Sequence, residues 1–295
     1  MSAHRYQSIW RNIIFNQRFD DTGAVDDPAH LIAAYINSDY YLESLDLTQV
    51  QTLDYRELRQ HLEGAEANEA FEGVRVVTGL GRIVASSPAD LEDKTWAMYE
   101  AFSPASCRLA STTAIPPGVL PFYFKRDSAA GAKSLLFFCR PGAGRPVVIG
   151  RIREGLIRPF QFVLVATDPR AYEQTQTQTV LGNLVGGINT VTSNGNLYTN
   201  PTVEIVLTGA GGATVTLANL TTGQTFVMNL SAETAGTFTL DTRRGTIYKS
   251  TTAKYNVRTS GFLVNMFLMP GANSVTFTGS TNVSSVTFKY RDAYG

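Results

Sequence analysis

Few residues in this chain could do chemistry, and their spacing does not favour it. All three histidines, His4, His30 and His61, fall near the start. A Ser-His-Asp or Cys-His nucleophilic site would have to draw its base from them; surface or structural histidines are the simpler reading. Cys107 and Cys139 lack metal-ligand spacing and are too few for a disulfide framework. Two reduced, mostly buried thiols are expected, with a disulfide as the alternative. The run Asp20-Asp21-Thr22-Gly23-Ala24-Val25-Asp26-Asp27 gathers carboxylates, but its glycine comes too early for a calcium loop and no glutamate closes it. It reads as a solvated loop. Glu57 to Glu72, with Glu63, Glu66 and Glu69, reads as an exposed acidic loop or short helix. Glycan hydrolysis there would need two carboxylates about 5–10 Å apart.

The glycine-rich stretches Thr208–Thr214 and Pro141–Arg145 lack a following Gly-Lys-Ser/Thr, so neither can cradle phosphate as a P-loop does. Both are expected to be hairpin turns. Tyr248, Tyr255 and Tyr294 could stack on a sugar if exposed, although aromatics in β-sandwiches more often serve cores or interfaces. No catalytic, cofactor-binding or metal-binding residue is assigned, and no carbohydrate-binding residue is singled out.

The elements that hold these residues divide the chain in two. Its 295 residues are long enough for two domains, and 43% hydrophobic with 17% charged residues suits a folded protein. Formal net charge is zero, so nothing drives the whole chain towards nucleic acid or anionic membrane. The start lacks a signal-peptide pattern, and no window reaches the roughly 20 apolar residues of a membrane span. Of the 25 acidic residues 21 lie in 1–173, and of the 25 basic ones 18; the rest of the chain is rich in Thr, Gly, Asn and Ser. The boundary is expected near Leu181-Gly182, giving domains 1–182 and 183–295. The alternating Thr175-Gln176-Thr177-Gln178-Thr179 is a strand or a polar linker.

The second half alternates throughout: Val203, Ile205 and Leu207; Val215 and Leu217; Phe226 and Met228; Phe238 and Leu240; Val275 and Phe277; Val286, Phe288 and Tyr290. Phe262 to Leu268 is a more continuous apolar run. Period two with Gly and Asn punctuation predicts about eight short strands in a sandwich or jelly roll. The first half is mixed. Ser87, Pro88 and Asp90 predict a capped helix over 88–102, with Leu91, Thr95, Met98 and Phe102 inward and Trp96 and Tyr99 widening that face. Strands are expected at Tyr41–Leu47, Val74–Ala85, Val119–Lys125, Leu135–Arg140, Val147–Arg153 and Pro159–Ala166, with a second helix over Pro28–Ile36. The fold class is mainly β: a β-rich α+β domain with one main helix, then a β-sandwich.

Several stretches, in order, resemble the distal tail (Dit) proteins of siphophages. They are Tyr41–Asp46, Val76–Ala85 with its Gly-x-x-Arg-x-Ile/Val pattern, the helix Ser87–Pro104, and Pro159–Tyr172 with its Asp-Pro. In the second half they are Asn194–Pro201, Phe238–Tyr248 and Met269–Phe277 with its Pro-Gly-x-Asn turn. The segment 54–73 falls outside the likeness. The resemblance implies an N-terminal domain that closes into a homo-oligomeric ring, usually a hexamer, and a galectin-like C-terminal sandwich. It implies the tail tube protein, the tail-associated hub protein and the tape measure protein as partners, with receptor-binding proteins or host glycans as further ones. It implies a virion structural protein of the tail tip or baseplate, made in the host cytoplasm, without enzymatic activity, cofactor or membrane insertion, through which DNA passes unbound. A lumen lined by first-domain carboxylates would suit that passage. The alternative reading is a carbohydrate-binding module for host recognition.

Overall fold

The structure is a computed structural model that describes residues 8–15, 39–53, 56–58, 65–67, 71–104, 118–126, 133–151, 155–210, 214–279 and 282–295. It divides into two compact units, Met1–Pro169 and Arg170–Gly295. The division falls ahead of the 182/183 boundary expected from composition, because the alternating segment after Glu173 supplies a strand to the second unit. The expected helix over 28–36 lies outside the described residues.

The first unit contains β1 (Ser8–Trp10), β2 (Ile13–Phe15), β3 (Tyr40–Leu53), β4 (Arg56–Leu58), β5 (Ala65–Ala67), β6 (Phe71–Val84), α1 (Pro88–Ala101), β7 (Leu120–Arg126), β8 (Lys133–Pro141), β9 (Val147–Ile149) and β10 (Ile157–Ala166). Its main sheet runs β2-β1-β7-β8-β10-β6-β3, and every pair in it is antiparallel. The Pro141–Arg145 stretch is not the expected hairpin turn. β8 and β9 lie along the same edge of β10, at Leu164–Ala166 and Phe160–Phe162. The connection follows that edge, with the Gly142 amide donating to Val163 O and the Val163 amide to Pro146 O.

Alternation in β10 turns Phe160, Phe162, Leu164 and Ala166 inward. Phe162 lies at the middle of an aromatic core, 5.1 Å from the Phe102 ring, 5.3 Å from Phe15 and 6.2 Å from Phe122. Ring contacts of this kind add to the burial energy of large side chains. Two glycines of β6 make room for it. A Cβ on Gly79 would lie 2.4 Å from the Phe162 ring, and one on Gly81 would lie 2.1 Å from Tyr41 O.

Helix α1 begins as its sequence signals. The Asp90 amide donates to Ser87 Oγ at 3.1 Å, and Pro88 stands in the first turn. The Asp90 carboxylate, however, reaches past the cap to the Ser86 amide at 2.8 Å. At the other end Trp10 Nε1 donates to Ala101 O at 2.9 Å and Arg11 Nη1 to Glu100 O at 3.1 Å, satisfying carbonyls that a helix end leaves open. The buried face holds Leu91, Thr95, Met98 and Ala101, followed by Phe102. Trp96 and Tyr99 do not widen that face as expected; they are 69% and 43% exposed.

The second unit contains β11 (Ala171–Glu173), β12 (Thr177–Val180), β13 (Val185–Ser193), β14 (Thr202–Leu207), β15 (Thr214–Asn219), β16 (Gln224–Asn229), β17 (Gly236–Asp241), β18 (Thr246–Lys249), β19 (Thr252–Ala253), β20 (Arg258–Ser260), β21 (Gly271–Thr278), β22 (Val283–Tyr290) and β23 (Ala293–Tyr294). Two sheets, β12-β22-β14-β17-β18-β19 and β13-β21-β15-β16-β20, face each other across one core. Val203, Ile205 and Leu207 fill it from one sheet and Leu217, Val275 and Phe277 from the other. This is the β-sandwich that the alternation predicted.

Two expectations fail here. β14 and β15, on either side of Gly209–Gly212, belong to different sheets, so these two strands are not the arms of a hairpin. Phe262–Leu268 is not a strand. Leu263–Asn265 forms a 3-10 turn; Leu263, Met266 and Leu268 point inward while Phe262 and Val264 are exposed, a spacing that strand periodicity cannot give.

Candidate assembly surfaces

The residues picked out as chemically able are scattered. His4, His30, His61, Cys107, Asp20–Asp27 and the side chains of Glu57, Glu63, Glu66, Glu69 and Glu72 lie outside what the structure describes. Cys139 is buried in β8. Among the described residues no three His, Cys, Asp or Glu side chains gather as a metal site would require, and no helix is long and apolar enough to cross a membrane.

Tyr248 and Tyr255 do come together. Ile247 takes the inward position of β18, so Tyr248 faces out. The turn after β19 brings Tyr255 beside it; desolvation and the hydrogen-bonding Tyr248 raise the Tyr255 phenol above its ordinary value. Their exposures are 36% and 55%. The lysines next to them in sequence hold Glu233, Lys254 Nζ at 2.8 Å and Lys249 Nζ at 3.2 Å. The Lys254 hydrogen bond, reinforced by Lys249, lowers the Glu233 carboxyl against the opposing effect of its burial. Tyr294 is apart from this pair, its hydroxyl 3.5 Å from Asn194 O.

The first unit presents two features of another kind. Trp96 packs edge-on against Tyr99, with ring centroids 6.2 Å apart, on the outer side of α1. Next to them a groove of about 420 Å³ runs between the end of the helix and β9, walled by Tyr99, Phe102, Pro104, Pro146 and Val148, with Arg145 among its lining. Exposed aromatics are enriched at protein contacts, and the groove beside them mixes apolar walls with Ser103 and Arg145. At the opposite end of α1, Lys94 Nζ ties the N-terminus down, bonding Asp90 at 2.8 Å, Asp39 at 2.9 Å and Val84 O at 3.0 Å. The Lys94 and Ser86 hydrogen bonds hold the Asp90 carboxyl down at about 2. Burial, with Asp39 and Asp90 nearby, pushes the Tyr40 phenol up to about 12.

The second feature is the β3–β6 ribbon. Each strand has 14 residues, a reach of about 45 Å. The ladder to β10 ends at Arg75, so beyond it Phe71–Glu72 pair with β3 alone among the described strands. Among the described strands β3 is an edge, irregular in register at three places. Sequence reasoning found both strands but not their common length, since nothing in a local pattern reports how far a hairpin outruns its sheet.

In the second unit, buried polar groups fix the turns that carried the family likeness. Asn273 accepts the Met269 amide at 2.8 Å and donates to Met269 O, Gly271 O and Val191 O. Arg170 lies 4.4 Å over the Tyr198 ring and donates to Tyr198 O at 2.9 Å.

No protein-family model matches the chain, and no curated protein matches its sequence. Solved structures do match it in shape. The Dit protein of phage SPP1, described as a paradigm of the hub adsorption apparatus in phages that infect Gram-positive bacteria, aligns at 10% identity over 87% of this chain and 94% of its own, with a TM-score of 0.57. Two structures of the phage P2 baseplate in its activated conformation, with Ca and with Sr, align at 8% identity over 87% of this chain and 91% of theirs, with TM-scores of 0.45. Across both of its units, the chain has a Dit-like fold.

Proposed function

We propose that this chain is a structural component of a phage tail tip, whose copies close into a ring, six to a turn, between the tail tube and the hub. The observation that carries this reading is the fold likeness to SPP1 Dit, which spans nearly the whole of both chains. The surfaces of the first unit support it. A rotational ring needs two different patches on each protomer that fit each other. The Trp96–Tyr99 face with its groove, and the long β3–β6 ribbon, are two different surfaces on one unit that could serve as such patches. Among the described strands, the far end of this ribbon, Phe71–Glu72 with Thr52–Leu53, has no third strand; a two-stranded piece is marginal in water, and a neighbouring copy would complete it.

In this reading the partners are the tail tube protein, the hub protein and the tape measure protein. The chain works in the virion after synthesis in the host cytoplasm, and it does no chemistry. DNA passes the lumen unbound, with first-unit carboxylates lining the way; a ring with a net basic lumen would contradict that last point. Native mass spectrometry of the full chain, alone and with tail tube and hub proteins, tests the assembly. A ring-sized oligomer is expected, and a monomer that joins neither partner would sink the reading.

The exposed Tyr248–Tyr255 pair favours a second reading, in which the sandwich stacks these rings on a host glycan. A glycan array probed with the full chain and with the Tyr248→Ala/Tyr255→Ala variant separates the two. Binding lost in the variant supports it, and no binding by either protein removes it.

A further inference from the structure

The second unit carries three exposed aliphatic side chains within nine residues of sequence, around the β12–β13 connection. Val180 is 63% exposed, Val185 85% and Ile188 66%. Val180 ends β12, the edge of one sheet, and Val185 and Ile188 open β13, the edge of the other. The loop between them is pinned from inside, where Leu181 is buried and Leu184 packs on the sandwich core. Leucines hold it down while valines and an isoleucine face water.

This loop is braced. The Asn183 amide donates to Asn189 Oδ1 at 2.8 Å, and Asn189 Nδ2 donates back to Asn183 O at 2.8 Å. The Val185 and Gly187 amides both donate to Asn183 Oδ1, at 3.1 and 3.2 Å, and Asn189 Nδ2 also reaches Gly187 O. A Cβ at Gly187 would lie 1.9 Å from Asn183 Nδ2, and Gly186 has a φ of +93°. A loop already fixed loses little entropy when something binds it. Solubility gives no reason to build such a brace under two exposed aliphatic side chains.

Charge, or its absence, narrows the occupant. No Asp, Glu, Lys or Arg occurs from Gln174 to Val203, and β21, the neighbour of β13, has none either. Lys289, opposite Gln178 on β22, is neutralised by Glu204 at 2.7 Å. Edge strands that must stay single usually carry charges or prolines. Across a two-fold axis a patch meets its own copy, so any charge near the axis would face its like. An uncharged apolar patch suits that contact. We propose that Val180, Val185 and Ile188, held out by the Asn183–Asn189 brace, form a self-contact through which the second unit pairs about a two-fold axis with a second copy of the chain.

The patch is small. Three aliphatic side chains and two short edges offer on the order of a few hundred Å², against roughly 800 Å² per partner in a stable interface. The pair is therefore weak and depends on concentration. It is also separate from the rotational contacts of the ring, which need two different patches.

Sedimentation velocity of the full chain across a wide concentration range tests it. The parent protein should show a pairing step. Val185→Asp and Val185→Lys should each weaken that step at least tenfold, and an equal mixture of the two should restore it, because unlike charges then meet across the axis. Val185 is exposed, so neither change threatens folding. A pairing step absent from the parent protein, or unmoved by either variant, would overturn the proposal. Loss in both variants without restoration on mixing would mean that Val185 does not face its own copy, and would overturn the two-fold contact. A ring-sized oligomer should persist in both variants; its absence from the parent protein counts against the tail-ring reading alone.

Discussion

Asp90 shows how much one side chain can hold. Its carboxylate accepts Ser86 N–H and Ser86 Oγ and bonds Lys94, which fixes the start of α1 against the end of β6. The Lys94 hydrogen bond and the Ser86 amide lower its pKa from 3.8 to about 2. A carboxyl depressed in the folded state adds stability that is present above its unfolded pKa and lost as pH falls through the folded one. The first unit should therefore lose stability from about pH 4 down to about pH 2, and Asp90→Asn should flatten that part of the curve, as followed by denaturant titration at each pH. Trp10→Phe keeps the ring but removes the donor to Ala101 O. A cost of about 1–3 kcal/mol is expected from the buried carbonyl left open, readable as a shift in denaturant midpoint. The capping residues of α1 were legible because their signal is local: Ser87, Pro88 and Asp90 act within one turn. The second partner of Asp90 was not, since Ser86 lies outside the cap pattern.

At the scale of elements, the strand cores were readable wherever alternation is strict, as in β10 and β14. The failures share a cause. Pro141–Arg145 and Gly209–Gly212 have turn composition, and composition shows that the chain bends without showing which strands it joins. Trp96 and Tyr99 fall beside the apolar stripe of α1, and only the packing of Met98, Ala101 and Phe102 decides that they stay outside it. The β6 glycines give a sharp test. Gly79→Val places a branched side chain where 2.4 Å separates a Cβ from the Phe162 ring, so the aromatic core must shift. An overpacking cost of about 1–3 kcal/mol is expected, with a lower melting temperature. Leu80→Thr, the adjacent outward position, should change stability by less than about 0.5 kcal/mol.

The whole molecule is two units with separate cores, and its composition shift announced them more clearly than their border. Residues 170–295 should fold alone, because their sandwich core is complete within that span; circular dichroism and a single cooperative melt of this fragment check it. The surfaces that would make a ring were the least legible part. They consist of side chains left out of cores, and a sequence does not distinguish a hydrophobic residue that is buried from one that waits for a neighbour. One feature of the second unit also has mechanical meaning. Its first strand, β11, lies against its last, β23, pairing Ala171 with Tyr294 and Tyr172 with Ala293. Tension pulling those two ends apart would open this seam like a zipper, one rung after another, while the sandwich behind it stayed unloaded.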